Sequence, residues 1–489
     1  MADQYADPSA PVNGTGSIES PFNTFASFTW VAGNRYFIKA GTQTSEQLAI
    51  GGSGTAGARV FIGRYGDGPN PVVGVGQTNG IYAAARQYFD VESVDTKQCT
   101  GHGIYIRTSG STIQSITLSG CNSSENALNG LYLDGVVLTA TMSYIWIDDC
   151  NFDDNGQHGL DALGRVGLVW VRRCKARRNG KLAAGQGFTT HPFVSNNITS
   201  GWTLSSGSVY YRDLSSGESV QKVINRTSKV TLTQTTGSNP SADQWSQVTG
   251  TPDRLYINIG TDPNSGVTMA WKRHSHGPFF FEFNEADYNY CYSPGAGEGH
   301  GFAADDMSSD IFFRGNSAWY NEGAGIQCQW TDRVVRSGNV CGNNALSNFR
   351  TTGHTDILRD INCTSIGGVQ HGFFYDIPYT TVENINCLVK DSTLNGIIAA
   401  SAGITCTTPA VYGCGSGATN NVTPTDMLEI NTSGCIDNVG RLLTPYVLEG
   451  IPMMNPLGAA GTYVQGVTLR NGRAQPGRTP IGAYAEGRY

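Results

Sequence analysis

The chain has 489 residues, of which 63 are Gly and only 15% are charged, with a net charge of -7. Long runs rich in Ala, Leu, Glu and Lys are missing, so composition excludes a helical protein and points to an all-β chain with many tight turns. The thin negative charge carries no basic stripe, which argues against nucleic acid as a partner, and no apolar stretch approaches the ~20 residues needed to cross a membrane.

Residues 1–36 lack the charged-then-apolar pattern of a signal peptide and are expected to form an N-terminal cap. A first block of coils follows over 37–193, and an internal repeat sets its register. Cys121, Cys150, Cys363 and Cys387 are each followed nine residues later by a Gly (130, 159, 372, 396) and then by a large apolar residue. Cys291 does the same over ten residues, reaching Gly301 and Phe302. Successive Cys at 99, 121, 150 and 174, and again at 341, 363 and 387, lie 22 to 29 residues apart, about one coil of a parallel β-helix. One residue after the aligned Gly stand Ile104, Leu131, Leu160, Phe188, Phe302, Ile326, Phe373 and Ile397, all apolar. Because a strand alternates its faces, this position and the one two residues on point inward, while the two between and beyond them point outward. A second strand precedes the Cys, with Ile116, Ile145, Val169, Leu358 and Val382 each five residues before it. The expected fold is an all-β, right-handed parallel β-helix of roughly nine or more coils, whose stacking buries an interior that no coil buries alone. Gly, Asn and Ser in the turns are expected to supply the positive φ of tight corners. No CxxC pair occurs among the 12 Cys, so the thiols read as small free core residues of a protein folded in a reducing cytosol.

Between 194 and 272 the Cys-to-Gly rhythm stops while strand alternation continues, which predicts a β-rich insertion looping out of one coil. Coils resume over 273–404. From 405 to 489 the rhythm loosens around YGCGSGATNN, so C-terminal coils, a cap and a long loop or oligomer contact are expected there.

The stretch Phe37–Val73, with its YGDGPNP turn, resembles the opening coils of the pectate-lyase-like β-helix superfamily. NPLGAAGTYVQG (455–466) and TPIGAYAEGRY (479–489) resemble its closing strands, with Pro480 where the superfamily often has Asp. That resemblance implies a polysaccharide-binding or polysaccharide-cleaving groove on one outward sheet face. Free thiols, a β-helix and an irregular C-terminal region without a signal peptide further resemble bacteriophage tailspikes and related depolymerases. This implies a virion-tail location, folding in the host cytoplasm, parallel homotrimers, contacts with other tail proteins and no membrane partner.

The outward columns locate the chemistry. Four residues after the Gly stand Arg107, Asp134, Leu163, His191, Asp305, Gln329 and Asp376; two after it stand Tyr105, Tyr132, Asp161, Thr189, Ala303, Gln327, Phe374 and Ile398. Aromatic faces there suit stacking on sugar rings, and carboxylates and amides suit hydroxyls. Tyr132, Asp134, His191, Gln327, Gln329 and Trp330 are therefore candidate substrate contacts, joined by Lys272, Arg273 and His274 beside the insertion. Glu298 and Glu322 each precede their Gly by three residues, so adjacent coils bring them within about one strand spacing, ~5 Å, the separation of retaining glycosidases. Asp305, with Asp161 or Glu322, gives a wider pair, and Asp306 adjoins it. The alternative chemistry is β-elimination from a uronic acid, with Lys272, Arg273 or His191 as candidate base and the substrate carboxylate neutralised by a cation, often Ca²⁺, or by another base; hydrolysis calls for no cofactor. His102, His158, His300 and His371 directly precede their Gly, a regularity that reads as a stacked turn position.

Three functions follow from these residues: a tailspike-type depolymerase of capsule or O-antigen, a secreted bacterial polysaccharide lyase or hydrolase, and a non-catalytic structural or adhesive β-helix. Glycoside hydrolysis is favoured over elimination.

Overall fold

The structure, a computed structural model, describes residues 2–429 apart from short stretches, the longest of which are 292–297, 377–380 and 400–403. Three parallel sheets wind into a right-handed solenoid of about 13 turns. The first sheet has 14 strands, from Asp3–Ala6 to Val422–Thr425; the second has 12, from Val72–Val73 to Leu428–Glu429; the third has 12, from Leu48–Ala49 to Gly417–Asn420.

The predicted inward column is present in the third sheet. Ile104, Leu131, Leu160, Phe188, Phe302, Ile326, Phe373 and Ile397 lie in register and are each 0% exposed. Phe349 joins them between Ile326 and Phe373, in a coil where Asn348 replaces the anchoring Gly. Ile116, Ile145, Val169, Leu358 and Val382 line up likewise in the first sheet. One strand spacing separates the stacked side chains, so aromatic rings in one column meet face to face: Phe188 on Phe302 at 5.0 Å, Phe349 on Phe373 at 4.5 Å. The outside of the first sheet does the same with Trp146, Trp170, Phe280 and Phe312 at 5.1, 5.3 and 5.0 Å.

The cysteines occupy several columns rather than one, at three corners and, as Cys341 and Cys328, within strands of the second and third sheets. Cys121, Cys150, Cys174, Cys363 and Cys387 stand at the corner before the second sheet, where Asn284, Asn316 and Asn339 fill the same column in the middle coils. Cys99 belongs to a second ladder at the far corner, and Cys291 and Cys341 lie two residues beyond Asn289 and Asn339. In that second ladder each Asn Oδ1 accepts the backbone N–H of the preceding coil: Cys99 to Asn126 at 3.0 Å, Asn155 to Asn179 at 3.1 Å, Asn179 to Asn289 at 3.1 Å, Asn321 to Asn344 at 3.0 Å. A small buried side chain suits each site, and an amide alone also satisfies the corner peptide.

The anchoring glycines serve closeness, not positive φ. A Cβ on Gly159, Gly187 or Gly301 would stand 2.5, 2.5 or 2.7 Å from the carbonyl oxygen of the next coil. Positive φ falls instead on corner residues such as Asp149, Arg173 and Phe283.

The insertion runs from Val194–Ile198 to Met269–Lys272 as an eight-stranded, mainly antiparallel sheet around Trp202, Trp245, Trp271, Val223 and Ile257. It is fastened to the turns that follow third-sheet strands. Ile224 and Ala270 pack on Trp330, whose ring also carries the Arg226 guanidinium at 5.4 Å. Lys222 and Lys272 both reach Asp332, at 2.7 and 3.3 Å.

The expected C-terminal coils are seen from 404 as far as Glu429. Ile404–Thr407, Ala410–Tyr412, Gly417–Asn420, Val422–Thr425 and Leu428–Glu429 extend all three sheets. The coils shorten, with Val422 paired to Ile404 only 18 residues earlier, which erases the Cys-to-Gly spacing. The closing phrases at 455–466 and 479–489 lie outside the described residues.

Two stability tests follow. Gly187→Ala drives a methyl into the Gly301 carbonyl and should cost about 2–3 kcal/mol in urea unfolding, while Gly57→Ala, with open space around it, should be close to neutral. Asp287, half-buried on the second sheet, accepts the Trp319 N–H at 2.9 Å. Burial, then the neighbouring Glu285 charge, pushes its carboxyl from 3.8 up to about 7. The folded state thus holds this proton more tightly than the unfolded chain, so its contribution is full below about pH 4 and lost as pH rises through about 7. Asp287→Asn should flatten that part of the Tm–pH curve; an unchanged slope would contradict the assignment.

Candidate functional site

The outer face of the third sheet begins with a phenol ladder. Tyr82, Tyr105 and Tyr132 share a column, with centroids 5.6 and 5.3 Å apart, and His102 stacks on Tyr132 at 4.6 Å. Because the rings cover one another, they present edges and hydroxyls outward. The expectation that these aromatic faces stack on sugars is therefore corrected: the ladder offers hydrogen bonds. The Tyr105 hydroxyl donates to Asp134 Oδ2 at 2.6 Å, and Asp134 also accepts the Val136 N–H at 3.1 Å and lies 3.8 Å from Arg107.

One coil on, Asp161 takes the place of the tyrosine. Its carboxylate is 6% exposed, lies 3.1 Å from His191 Nε2 and accepts the Asn129 amide at 3.3 Å. Burial works to raise this carboxyl, but the charge and hydrogen bond of His191, with His158 and His102 behind, bring it below the ordinary 3.8. Asp161 is thus an anion ringed by imidazoles. His102 and His158 are held neutral, His102 pushed down to about 4 by burial, and each Nδ1 accepts a backbone N–H, from Asn129 at 3.4 Å and from Gln186 at 3.1 Å. His300 and His371 accept the Ala324 and Asn395 N–H groups in the same way, at 2.8 and 3.2 Å, so the histidine column braces the turns.

His191 is half-buried at the rim of the face. Thr190 pairs with Ala304, which sets Asp305 one strand spacing, ~4.8 Å, beyond His191 in the same column. The Asp305 peptide N–H bonds to Thr190 O at 3.0 Å. Asp161, His191 and Asp305 thereby fall on three successive coils. Further along, Gln327 donates to Thr352 at 3.0 Å and accepts from Arg350 at 3.3 Å, while Gln329 sits at the half-buried edge. Asp376 closes the row, bridged at 3.2 Å to Lys229 of the insertion.

Other sequence candidates lie elsewhere. Glu298 and Glu322 do occupy adjacent coils, since Gly323 N–H bonds to Gly299 O at 2.9 Å, but on the turns between the second and third sheets. Glu322 accepts the Cys291 N–H at 2.7 Å and so braces that turn. Trp330 lies under the insertion and is 5% exposed, so it is an anchor and not a sugar platform. Lys272 is 3% exposed and tied to Asp332 and Ser309, with burial lowering its pKa, which takes it out of the groove. It lines a cavity of about 380 Å³ in the crease beneath the insertion, with Lys222, Trp245 and Asp332. Arg273, His274 and Asp306 lie outside the described residues. Among the described residues no three His, Cys, Asp or Glu side chains converge to hold a metal ion. Asn129 and Arg350 were not foreseen. Asn129 stands in the histidine position before Gly130, and Arg350 follows Phe349 in the coil that lacks its Gly.

A family model for right-handed β-helix regions matches residues 75–242. No curated protein matches the sequence. Among solved structures, pectate lyase Pel9A is similar at 13% identity and TM-score 0.51, over 99% of this chain and 96% of that one. A GH136 lacto-N-biosidase from Eubacterium ramulus aligns at 10% identity and TM-score 0.46, over 87% of this chain and 67% of that one. Likeness at such identity speaks to fold alone, and the Pel9A match agrees with the stacked columns described above: the chain has a right-handed parallel β-helix fold.

Proposed function

We propose that the outer face of the third sheet binds a glycan chain along the solenoid and hydrolyses it at Asp161, His191 and Asp305. The observation that carries this reading is the Asp161–His191 pair, a buried anion 3.1 Å from a half-buried imidazole, set between a row of phenol hydroxyls and a row of carboxylates. Polar tips that recur every ~4.8 Å suit a polymer, and solenoids offer such extended surfaces. Asp161 orients the imidazole and stabilises its protonated form, so His191 carries a proton to or from the glycosidic oxygen at neutral pH. Asp305, one coil further, is placed to take a proton from the attacking water. Tyr105, Tyr132 and Asp134 hold sugar hydroxyls. Pectate lyase Pel9A, a neighbour at TM-score 0.51, bears a polysaccharide-acting name, which is consistent with this use of the fold.

The test is release of reducing ends from a panel of capsular polysaccharides and lipopolysaccharides. Asp161→Asn, His191→Ala and Asp305→Asn should each lower kcat about 10²-fold or more, while Glu322→Gln keeps full activity. Full activity in both Asp variants would remove the assignment, and a gain in ultraviolet absorbance from an unsaturated uronate would replace hydrolysis by elimination.

The biological setting we propose is a tailspike-type homotrimer of a bacteriophage tail, folded in the host cytoplasm, acting on capsule or O-antigen. Ten described cysteines are free and nine of them buried, which suits folding in a reducing compartment. Unheated gel electrophoresis should then reveal an SDS-resistant trimer; a monomer in light scattering would count against it.

A further inference from the structure

The cations near the proposed glycan face are already engaged by the protein's own groups. Arg107 lies 3.8 Å from Asp134 and over the Tyr105 ring at 5.7 Å. His191 is 3.1 Å from Asp161, and Lys229 is 3.2 Å from Asp376. Arg350 rests on the Phe374 ring at 5.8 Å with a hydrogen bond to Gln327 at 3.3 Å. Beneath the insertion, Lys222 and Lys272 both meet Asp332. The carboxylates on the face are Asp134, Asp161, Asp305 and Asp376.

A polymer bearing carboxylate or sulfate groups at each repeat needs cations to receive them. Arg107 or His191 could answer only by leaving its own partner, and Asp134 or Asp161, 8% and 6% exposed, would then remain as a buried charge without compensation, while Arg350 would give up its bond to Gln327. The incoming anions would also stand beside the carboxylate row, a like-charge juxtaposition that selects against such a ligand. Among the described residues no three acidic or imidazole side chains converge on a cation site. Sugar hydroxyls meet the opposite situation: carboxylates accept from them, and so does the Tyr105 oxygen, whose proton is given to Asp134.

We infer that the glycan taken by this face lacks acidic groups, being built of neutral or N-acetylated sugars. The inference rests on the reading of the third-sheet face as the glycan site. Its test pairs each acidic polymer with its carboxyl-reduced derivative, polygalacturonate and alginate among them, beside neutral bacterial polysaccharides, with reducing ends and affinity electrophoresis as readouts. Cleavage should be confined to polymers without acidic groups, and wherever a pair is attacked the reduced member should react at least about tenfold faster. Asp376→Asn, which releases Lys229, should strengthen retention of polygalacturonate. An acidic polymer cleaved as fast as its reduced form, by an enzyme that Asp161→Asn inactivates, overturns the inference and leaves the site standing. Absence of cleavage and binding for every polymer overturns the site itself.

Discussion

Parallel backbone pairing between successive coils is the constraint on which the molecule is built. It places equivalent residues one strand spacing apart, ~4.8 Å, over the whole solenoid, so each position must tolerate a copy of itself above and below. Apolar rings meet that demand by stacking, and amides meet it by passing one hydrogen bond to the next coil. Backbone carbonyls meet it only where the facing residue is Gly, as at Gly159 and Gly187. A buried charge cannot stack on its like. The solenoid interior therefore departs from the column rule where Arg336 follows Phe313 and faces Asp360 on the next coil, bonded at 2.5 and 2.7 Å, with the Tyr375 hydroxyl closing the set at 2.6 Å. Opposite charges succeed each other along the axis, which is the arrangement a column permits.

The same rule shapes the outer face. Three tyrosines in a column stack and bury their faces, which leaves hydroxyls as the chemistry on offer. Where the column changes from Tyr132 to Asp161, the carboxylate would clash electrostatically with another of its kind; its neighbours are instead Tyr132 and Thr189, and its charge is answered by His191 across the strand. The insertion interrupts the chain between the coils of His191 and Asp305, yet leaves them paired. It thus adds a wall and a crease beside the groove at no cost to the ladder.

Period and inward register were legible because they depend on residue type alone: eight apolar residues following eight glycines announce a column. The coil at Phe349 was hidden because Asn348 fills the glycine position, although the apolar residue itself kept the spacing. The cysteines misled in part, since three different corners accept a small buried side chain and spacing cannot separate them. The Asn ladders were visible as residues, at 126, 155 and 321 four before their Gly, but their hydrogen bonds depend on the turn pointing the amide along the axis. Trp330 and Lys272 resembled groove residues because sequence shows what is polar or aromatic, not that a separate sheet will settle over it.

The site was legible only as columns, and the reason is physical. The environment of Asp161 is assembled from His102, Asn129, His158 and His191, which come from four coils and are brought together by pairing over a distance that no local pattern encodes. Glu298 and Glu322 were equally adjacent by register, yet they stand on a turn whose backbone N–H groups need acceptors, and Glu322 is spent on Cys291. Register therefore decides which carboxylates are neighbours, while the unsatisfied backbone of the turn decides which of them are available for chemistry. On a strand, where peptide groups are already paired along the axis, a carboxylate keeps its lone pairs for other side chains and for a ligand. This distinguishes Asp161, on a strand of the third sheet, from Glu322 on its turn.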